Sequence, residues 1–255
     1  MNMVPISAVI IALNEEARLR DCLMSLAFCE DILVVDSGST DATVEIARSC
    51  GARVLHQAWL GFGAQKQWAV EHANHDWVLC VDADERVSEQ LAESIVLHCG
   101  KPGLQAYRFP RCNLFLGRYL RHGEGYPDWS LRLFDRRHGR WSEDPVHEKV
   151  IIVGKVGTLK GDLIHDSADS LYHYMQKQNR YTTLQAERQG VMTKRGVVWS
   201  MVFSPFVRFF KFYFVRLGFL DGWPGFIHIL IGCLNSFFKY AKIYEQQRQQ
   251  KLASQ

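Results

Sequence analysis

The chain has 255 residues, 47% of them hydrophobic, and a formal net charge of +3. That length can build one large domain, or one domain with an appendage, and the apolar share argues against long disorder. The small charge does not by itself imply a nucleic-acid partner, and seven cysteines without a C-x-x-C pair fit buried thiols in a reducing cytosol.

Residues 6–13 ("ISAVIIAL") form a continuous apolar run. It has no basic segment before it and no small-residue cleavage site after it, so it reads as a first strand and no export is expected. Leu19, Leu23 and Leu26 give helical periodicity over 15–27. "DILVVDSGS" (31–39) predicts a second strand, followed by a helix over 42–49 with Ser39, Thr40 and Asp41 as capping candidates. "ARVLHQ" is a third strand, with a helix over 64–72 after it. "DWVLCVDAD" is a fourth strand, and Ser88 is placed to cap a helix carrying Leu91, Ile95 and Cys99 on one face. Such strand–helix alternation builds a parallel sheet with helices on both sides.

After residue 100, Arg-rich aromatic segments with turn signals suggest antiparallel strands or excursions, and a helix is expected over 170–188. No linker composition separates this region from the first, so residues 1–188 are expected as one domain, in halves 1–100 and 101–188. Residues 189–255 are expected as a helical appendage with a polar tail. Between 188 and 242 there are eight Lys or Arg and one acid, Asp221, among many Phe, Trp, Ile and Leu residues. The uninterrupted apolar stretches fall short of the roughly 20 residues of a spanning helix. Aromatics punctuated by Arg208, Lys211 and Arg216 instead suggest a helix lying at a membrane surface. The competing reading is a helical appendage packed on the core, its Arg stems covering apolar surface.

Ligands of open parallel sheets bind at the carboxyl ends of the strands. There the sequence places Asn14-Glu15, Asp36-Ser37-Gly38-Ser39 and Asp82-Ala83-Asp84, three polar clusters from three strands. Asp82 and Asp84 are two apart on an extended chain and can share a face. Oxygen ligands at that spacing suit Mg²⁺ or Mn²⁺ completed by substrate phosphates. The alternative is that they cap the next helix or pair with Arg86. Glu85 and Arg86 are expected only as a local pair.

The segments "IIALNEEARLRDCLMSL", "ILVVDSGSTDATVEIARSCGARV" and "WVLCVDADERV" resemble the family 2 glycosyltransferases of GT-A fold. "AWLGFGAQKQWAVEHANHDWVLCVDADERV" with the later "VHEKV" is similar to the lipopolysaccharide inner-core β-1,4-glucosyltransferases of Gram-negative bacteria. The resemblance implies a mostly parallel nucleotide-binding sheet flanked by helices, with 1–100 as the nucleotide-sugar half and 101–188 as the acceptor side. It implies that Asp36 hydrogen-bonds the base and Glu15 lies near the nucleoside. Asp82 would face the ribose or metal-bound water, and Asp84 would ligate the cation, with His165 a further candidate metal ligand. Lys66 would meet nucleotide or phosphate, or be a solvated helix charge.

The implied reaction is a single displacement at the anomeric carbon, which needs a base for the acceptor hydroxyl. "WSEDPVHEKV" offers Glu143, Asp144 and Glu148; Glu148 is preferred because it opens a strand-like run, with Asp144 second. His147 is a lesser candidate. Arg108, Arg111, Arg118, Arg121 and Arg132 could meet an anionic acceptor or line a solvated sheet face, and Trp129 could stack on a sugar. The resemblance implies a UDP-glucose-type nucleotide-sugar donor, a lipid-anchored glycan acceptor carrying heptose, and a place on the cytoplasmic face of the inner membrane. Another glycolipid or polyprenyl-linked acceptor is the alternative. A dinucleotide oxidoreductase would need G-x-G-x-x-G where this chain has "LNEEAR". An aspartyl phosphohydrolase would carry its D-x-D after the first strand. A non-catalytic membrane module would leave the strand-end carboxylates without a purpose.

Overall fold

The computed structural model describes residues 4–142, 148–166, 170–188 and 192–253. The chain divides into two compact units, one of residues 1–112 and 128–166, the other of residues 113–127 and 167–255. The elements of the first unit run β1 (Ile6–Ala12), α1 (Leu19–Met24), β2 (Asp31–Asp36), α2 (Thr43–Ser49), β3 (Arg53–His56), α3 (Phe62–Glu71), β4 (Trp77–Asp82), β5 (Glu85–Val87) and α4 (Glu89–His98). Strand β6 (Ala106–Phe115) leads to β7 (Arg118–Tyr119). The chain continues through β8 (Asp128–Asp135), β9 (Gly139–Trp141), β10 (Val150–Ile152), β11 (Val156–Thr158) and β12 (Leu163–His165).

Among the described residues one sheet runs in the order β3-β2-β1-β4-β8-β6-β12-β5. Its first four strands are parallel. Beyond β4 the pairing turns antiparallel at β8 and again between β8 and β6. The two halves follow from their connections: helices return the chain between the parallel strands, and none joins β6 to β8.

Both faces of β1 and β4 are covered, which is why their sequences are apolar without alternation. Ile6, Ala8 and Ile10 of β1, with Leu79 and Val81 of β4, pack against Leu19 and Leu23 of α1 and Leu91 and Ile95 of α4. Val9, Val78 and Cys80 face the other way, onto Ala69 and Val70 of α3 and onto Trp141. The Ser88 hydroxyl accepts from the Leu91 N–H and caps α4 as its position predicted. Helix α1 is shorter than the periodicity suggested, because residues 13–18 form a turn in which Asn14 takes a positive φ of 55°.

The second unit contains α5 (Leu171–Arg188), α6 (Lys194–Phe210), a π turn over Lys211–Val215, a 3₁₀ turn over Gly218–Asp221 and α7 (Gly222–Ala253). Its bounds differ from the sequence division at 188. Helix α5 belongs with the later helices because Asn235 of α7 bonds Gln178, and Lys242 bonds Asn179 and Thr182. Residues 113–127 join the same unit through Asp221, whose buried carboxylate accepts from the Arg121 and His122 N–H groups.

A second difference concerns length. α6 and the π turn form one helical segment, Lys194–Val215, of 22 residues with a mean hydropathy of 1.2 over its most apolar window, of which 6% is buried. By length and composition alone it could cross a membrane, whereas the runs between its charges looked too short.

Candidate active site

The sheet register brings the strand-end clusters together. Ala12 at the end of β1 lies opposite Asp36, and Ile11 lies opposite Asp82, so the two aspartates flank one strand end. The Asp36 carboxylate is buried and accepts from the Gly38 and Ser39 N–H groups, closing a turn at the carboxyl edge. Gly38 permits that turn, since its φ of 104° is a conformation that residues with a Cβ rarely adopt. The loop after β1 is clasped to it: the Asn14 N–H donates to Ser39 and the Glu15 N–H to Thr43. Burial raises the Glu15 pKa despite the opposing pull of Arg18, and Oε2 is buried without a hydrogen bond among the described residues although an Arg18 nitrogen is 3.2 Å away.

Asp82 is the centre of a charge network. Its Oδ1 lies 2.9 Å from Lys66 Nζ on α3, and its Oδ2 accepts from Arg132 on β8 at 2.8 Å. Burial alone would raise the Asp82 pKa; Arg132 and Lys66 outweigh it and hold the carboxyl well below the usual carboxylate range. Both cations lie over the Trp141 ring, at 4.9 Å for the lysine and 5.4 Å for the guanidinium. The Trp141 indole N–H reaches Cys80 Sγ at 3.4 Å. Burial pushes that thiol up to about 11, so it stays neutral.

Glu85 closes the network from below. Its side chain is fully buried, accepts from the Asp82 N–H at 3.0 Å, and lies 3.4 Å from Arg111 and 3.7 Å from Arg132. The expected local pair with Arg86 does not form, because Arg86 turns to Asp166 at 2.7 Å. Arg132 Nη1 is a buried donor with no hydrogen-bond partner among the described residues. Leaving such a donor unmet costs roughly 1–3 kcal/mol, so the position suits an incoming anionic acceptor oxygen.

Asp84 faces a different neighbour. Strand β12 pairs antiparallel with β5, placing His165 opposite Glu85, and the Asp166 N–H donates to the Asp84 carbonyl. His165 Nε2 thereby comes 3.3 Å from Asp84 Oδ2, with an Arg18 nitrogen 3.8 Å from the same oxygen. A carboxylate oxygen and an imidazole nitrogen this close, at a sheet edge, fit two ligands of a divalent cation that takes its remaining ligands from phosphate and water. Among the described residues no group of three or more His, Cys, Asp or Glu could hold a metal unaided.

Glu148 lies 3.7 Å from Lys66. The approach of α3 depends on Gly63: a Cβ there would meet the Ser142 carbonyl oxygen at 2.4 Å and the Glu148 Cβ at 3.4 Å. Gly63→Ala is expected to push α3 outward, destabilising the fold by about 1–3 kcal/mol and carrying Lys66 away from Asp82. Thermal unfolding together with donor titration would show both losses, and an unchanged midpoint would refute the close approach. Asp144, Glu143 and His147 lie outside the described residues.

Three contributors escaped the sequence reading. Gln65 is fully buried and bonds Ser37 Oγ and the Gln57 carbonyl, tying α3 to the Asp36 turn. Trp141 lies under both cations of the Asp82 network. Arg132, one of the arginines expected to meet an acceptor or line a solvated sheet face, is instead buried and paired with Asp82; its place inside the apolar run "SLRLF" is the signal of a buried partner. Arg111 pairs with Asp128 and Glu85, Arg108 stacks on the half-exposed Trp129 at 5.0 Å, and Arg118 and Arg121 belong to the second unit.

Comparison with known proteins identifies the family. Over 250 residues the chain is 34% identical to the lipopolysaccharide core biosynthesis glycosyltransferase LpsC of Rhizobium meliloti, covering 95% of this chain and 93% of the relative. It is 29% identical to an uncharacterized glycosyltransferase of Rickettsia typhi over 95% of its length and 88% of that protein's. Among solved structures it is similar to glucosyl-3-phosphoglycerate synthase of Mycobacterium tuberculosis in complex with Mn²⁺ and UDP-glucose. That match has 28% identity and a TM-score of 0.37, over 42% of this chain and 43% of the synthase. A model of glycosyl transferase family 2 matches residues 7–151. The chain belongs to that family and is a glycosyltransferase.

Proposed function

We propose that this protein is an inverting glycosyltransferase that moves a hexose, glucose from UDP-glucose, onto a heptose of the lipopolysaccharide inner core. The carrying observation is the meeting of Asp36, Asp82 and Asp84 with Lys66, His165 and Glu148 around one sheet edge. Similarity to LpsC supports the lipopolysaccharide acceptor.

In this reading Asp36 and Glu15 hold the nucleoside. Lys66 and the unmet Arg132 nitrogen face the diphosphate. Asp84 and His165 would hold Mg²⁺ or Mn²⁺, which would neutralise charge on the departing diphosphate. Asp82 was a candidate ligand of that cation too. Both its oxygens carry ion pairs, so its part is to hold Lys66 and Arg132 in place. Glu148 takes the proton of the attacking acceptor hydroxyl as the C1–O bond to the diphosphate breaks and the new glycosidic bond forms. Attack from the face opposite the leaving group inverts the anomeric centre.

The lipid anchor of the acceptor gives the second unit its part. α6 exposes Trp199, Phe206, Val207 and Phe210. Arg208 and Lys211 lie within the same helical segment, and each would cost about 3 kcal/mol at the centre of a bilayer. We therefore read it as lying on the cytoplasmic face of the inner membrane rather than crossing it. A donor screen against isolated core acceptor, with the product linkage determined by NMR, tests the whole reading. Transfer of glucose to heptose is expected; turnover only with a polyprenyl-linked or other glycolipid acceptor would replace the acceptor assignment.

A further inference from the structure

We propose that the open groove between α6 and α7 seats one anionic phospholipid of the bilayer, with its phosphate at Lys211 and an acyl chain along α6. The groove has a volume of about 640 Å³ and lies wholly within the second unit. The proposal rests on the membrane-surface reading above and goes beyond it by naming a lipid class and its seat.

Two rows of α6 side chains line the groove at four-residue spacing, which puts each row along one line of the helix. One row is apolar, Trp199, Phe203 and Val207, and it ends in Lys211. The other carries Ser200, Ser204 and Arg208 and ends in Phe212. The first row therefore runs from apolar to cationic, as an amphiphile with an anionic head requires. From Trp199 to Lys211 the helix rises about 18 Å, enough to receive a chain lengthwise.

The apolar row is bare: Trp199 is 63% exposed, Phe203 47% and Val207 66%, and Trp199 stacks on Phe203 at 4.5 Å. Apolar surface presented in a contiguous row marks a contact surface.

The two cations are not equivalent. Arg208 is already engaged: its guanidinium pairs with Glu124 and donates to Ser236 Oγ at 3.2 Å. It is held in place and largely neutralised. Lys211 has no carboxylate partner among the described residues; its ammonium lies 5.2 Å over the Phe212 ring. The groove therefore offers one uncompensated positive charge at the end of its apolar row, which complements a single phosphate. A zwitterionic headgroup brings its own cation to the same place and gains less.

Native mass spectrometry of the full chain in a neutral detergent, titrated with phosphatidylglycerol or phosphatidylcholine, reads the site directly. One phosphatidylglycerol per chain is expected, retained at least about fivefold better than phosphatidylcholine, as one lysine beside an anionic headgroup confers. Lys211→Gln should bring the two lipids to within twofold. Lys194→Gln removes the same charge from the other end of α6, outside the groove, and should leave the preference intact. Both residues are exposed, so neither change threatens the fold. Equal losses in the two variants, no stoichiometric lipid, or displacement of the lipid by equimolar inorganic phosphate would each overturn the site. Vesicle flotation separates this failure from that of the wider reading. Binding to phosphatidylglycerol vesicles unchanged in Lys211→Gln leaves the membrane surface and removes the groove, whereas no flotation of the unaltered chain removes both.

Discussion

Glu148→Gln is expected to lower turnover by about 10²–10⁴-fold, the range a positioned general base contributes, with little change in donor affinity. The substitution keeps the shape of the side chain and removes only its capacity to accept the acceptor's proton. Its ion-pair partner, Lys66, retains the shorter contact to Asp82 at 2.9 Å, so the phosphate-facing cation stays in place. Steady-state turnover and calorimetric titration of the donor separate the two effects. Near-normal turnover in Glu148→Gln, with a collapse in Asp144→Asn, would transfer the base role to Asp144.

Arg132→Ala is expected to destabilise the fold by about 3–5 kcal/mol, because it removes a cation that compensates the wholly buried Glu85 and the partly buried Asp82. Arg132 is 8% exposed and bridges Asp82 and Glu85, the latter wholly buried. Chemical unfolding monitored by tryptophan fluorescence measures the loss; a change under about 1 kcal/mol would show that the network carries no net stability. The pH dependence has a definite sign. The Asp82 pKa is depressed in the fold, so its contribution is complete above the unfolded-state value of about 3.9 and fades as pH falls toward the folded value. Without Arg132 the folded pKa rises toward the unfolded one, that window narrows, and part of the stabilisation is already missing at neutral pH.

The parallel half of the sheet was legible because its strands are buried on both faces and its turns carry Asp, Ser and Gly at the carboxyl edge. Asp36 and Asp82 could be placed on one edge from strand order alone, and the register brings them to neighbouring positions on β1. What the sequence withheld depends on long-range antiparallel pairing. His165 meets Asp84 only because β12 returns to β5, and that pairing joins residues about eighty apart, with no local pattern announcing it. Glu85 is expected from sequence only as a local pair with Arg86. Its burial follows from Arg111 and Arg132, which arrive from β6 and β8. The division of the chain into units differs from the one at residue 188 for a related reason: α5 has a helical pattern in either unit, and its bonds to α7 group it with the later helices.

In the proposed reading this edge binds a nucleotide sugar through a divalent cation on Asp84 and His165. Isothermal titration of the full chain with UDP-glucose, in Mn²⁺ and again after chelation, tests it most directly. The account predicts saturable one-to-one binding that needs the cation and is lost in Asp84→Ala while the variant stays folded. Equal binding with and without the cation, or undiminished binding in Asp84→Ala, would contradict it.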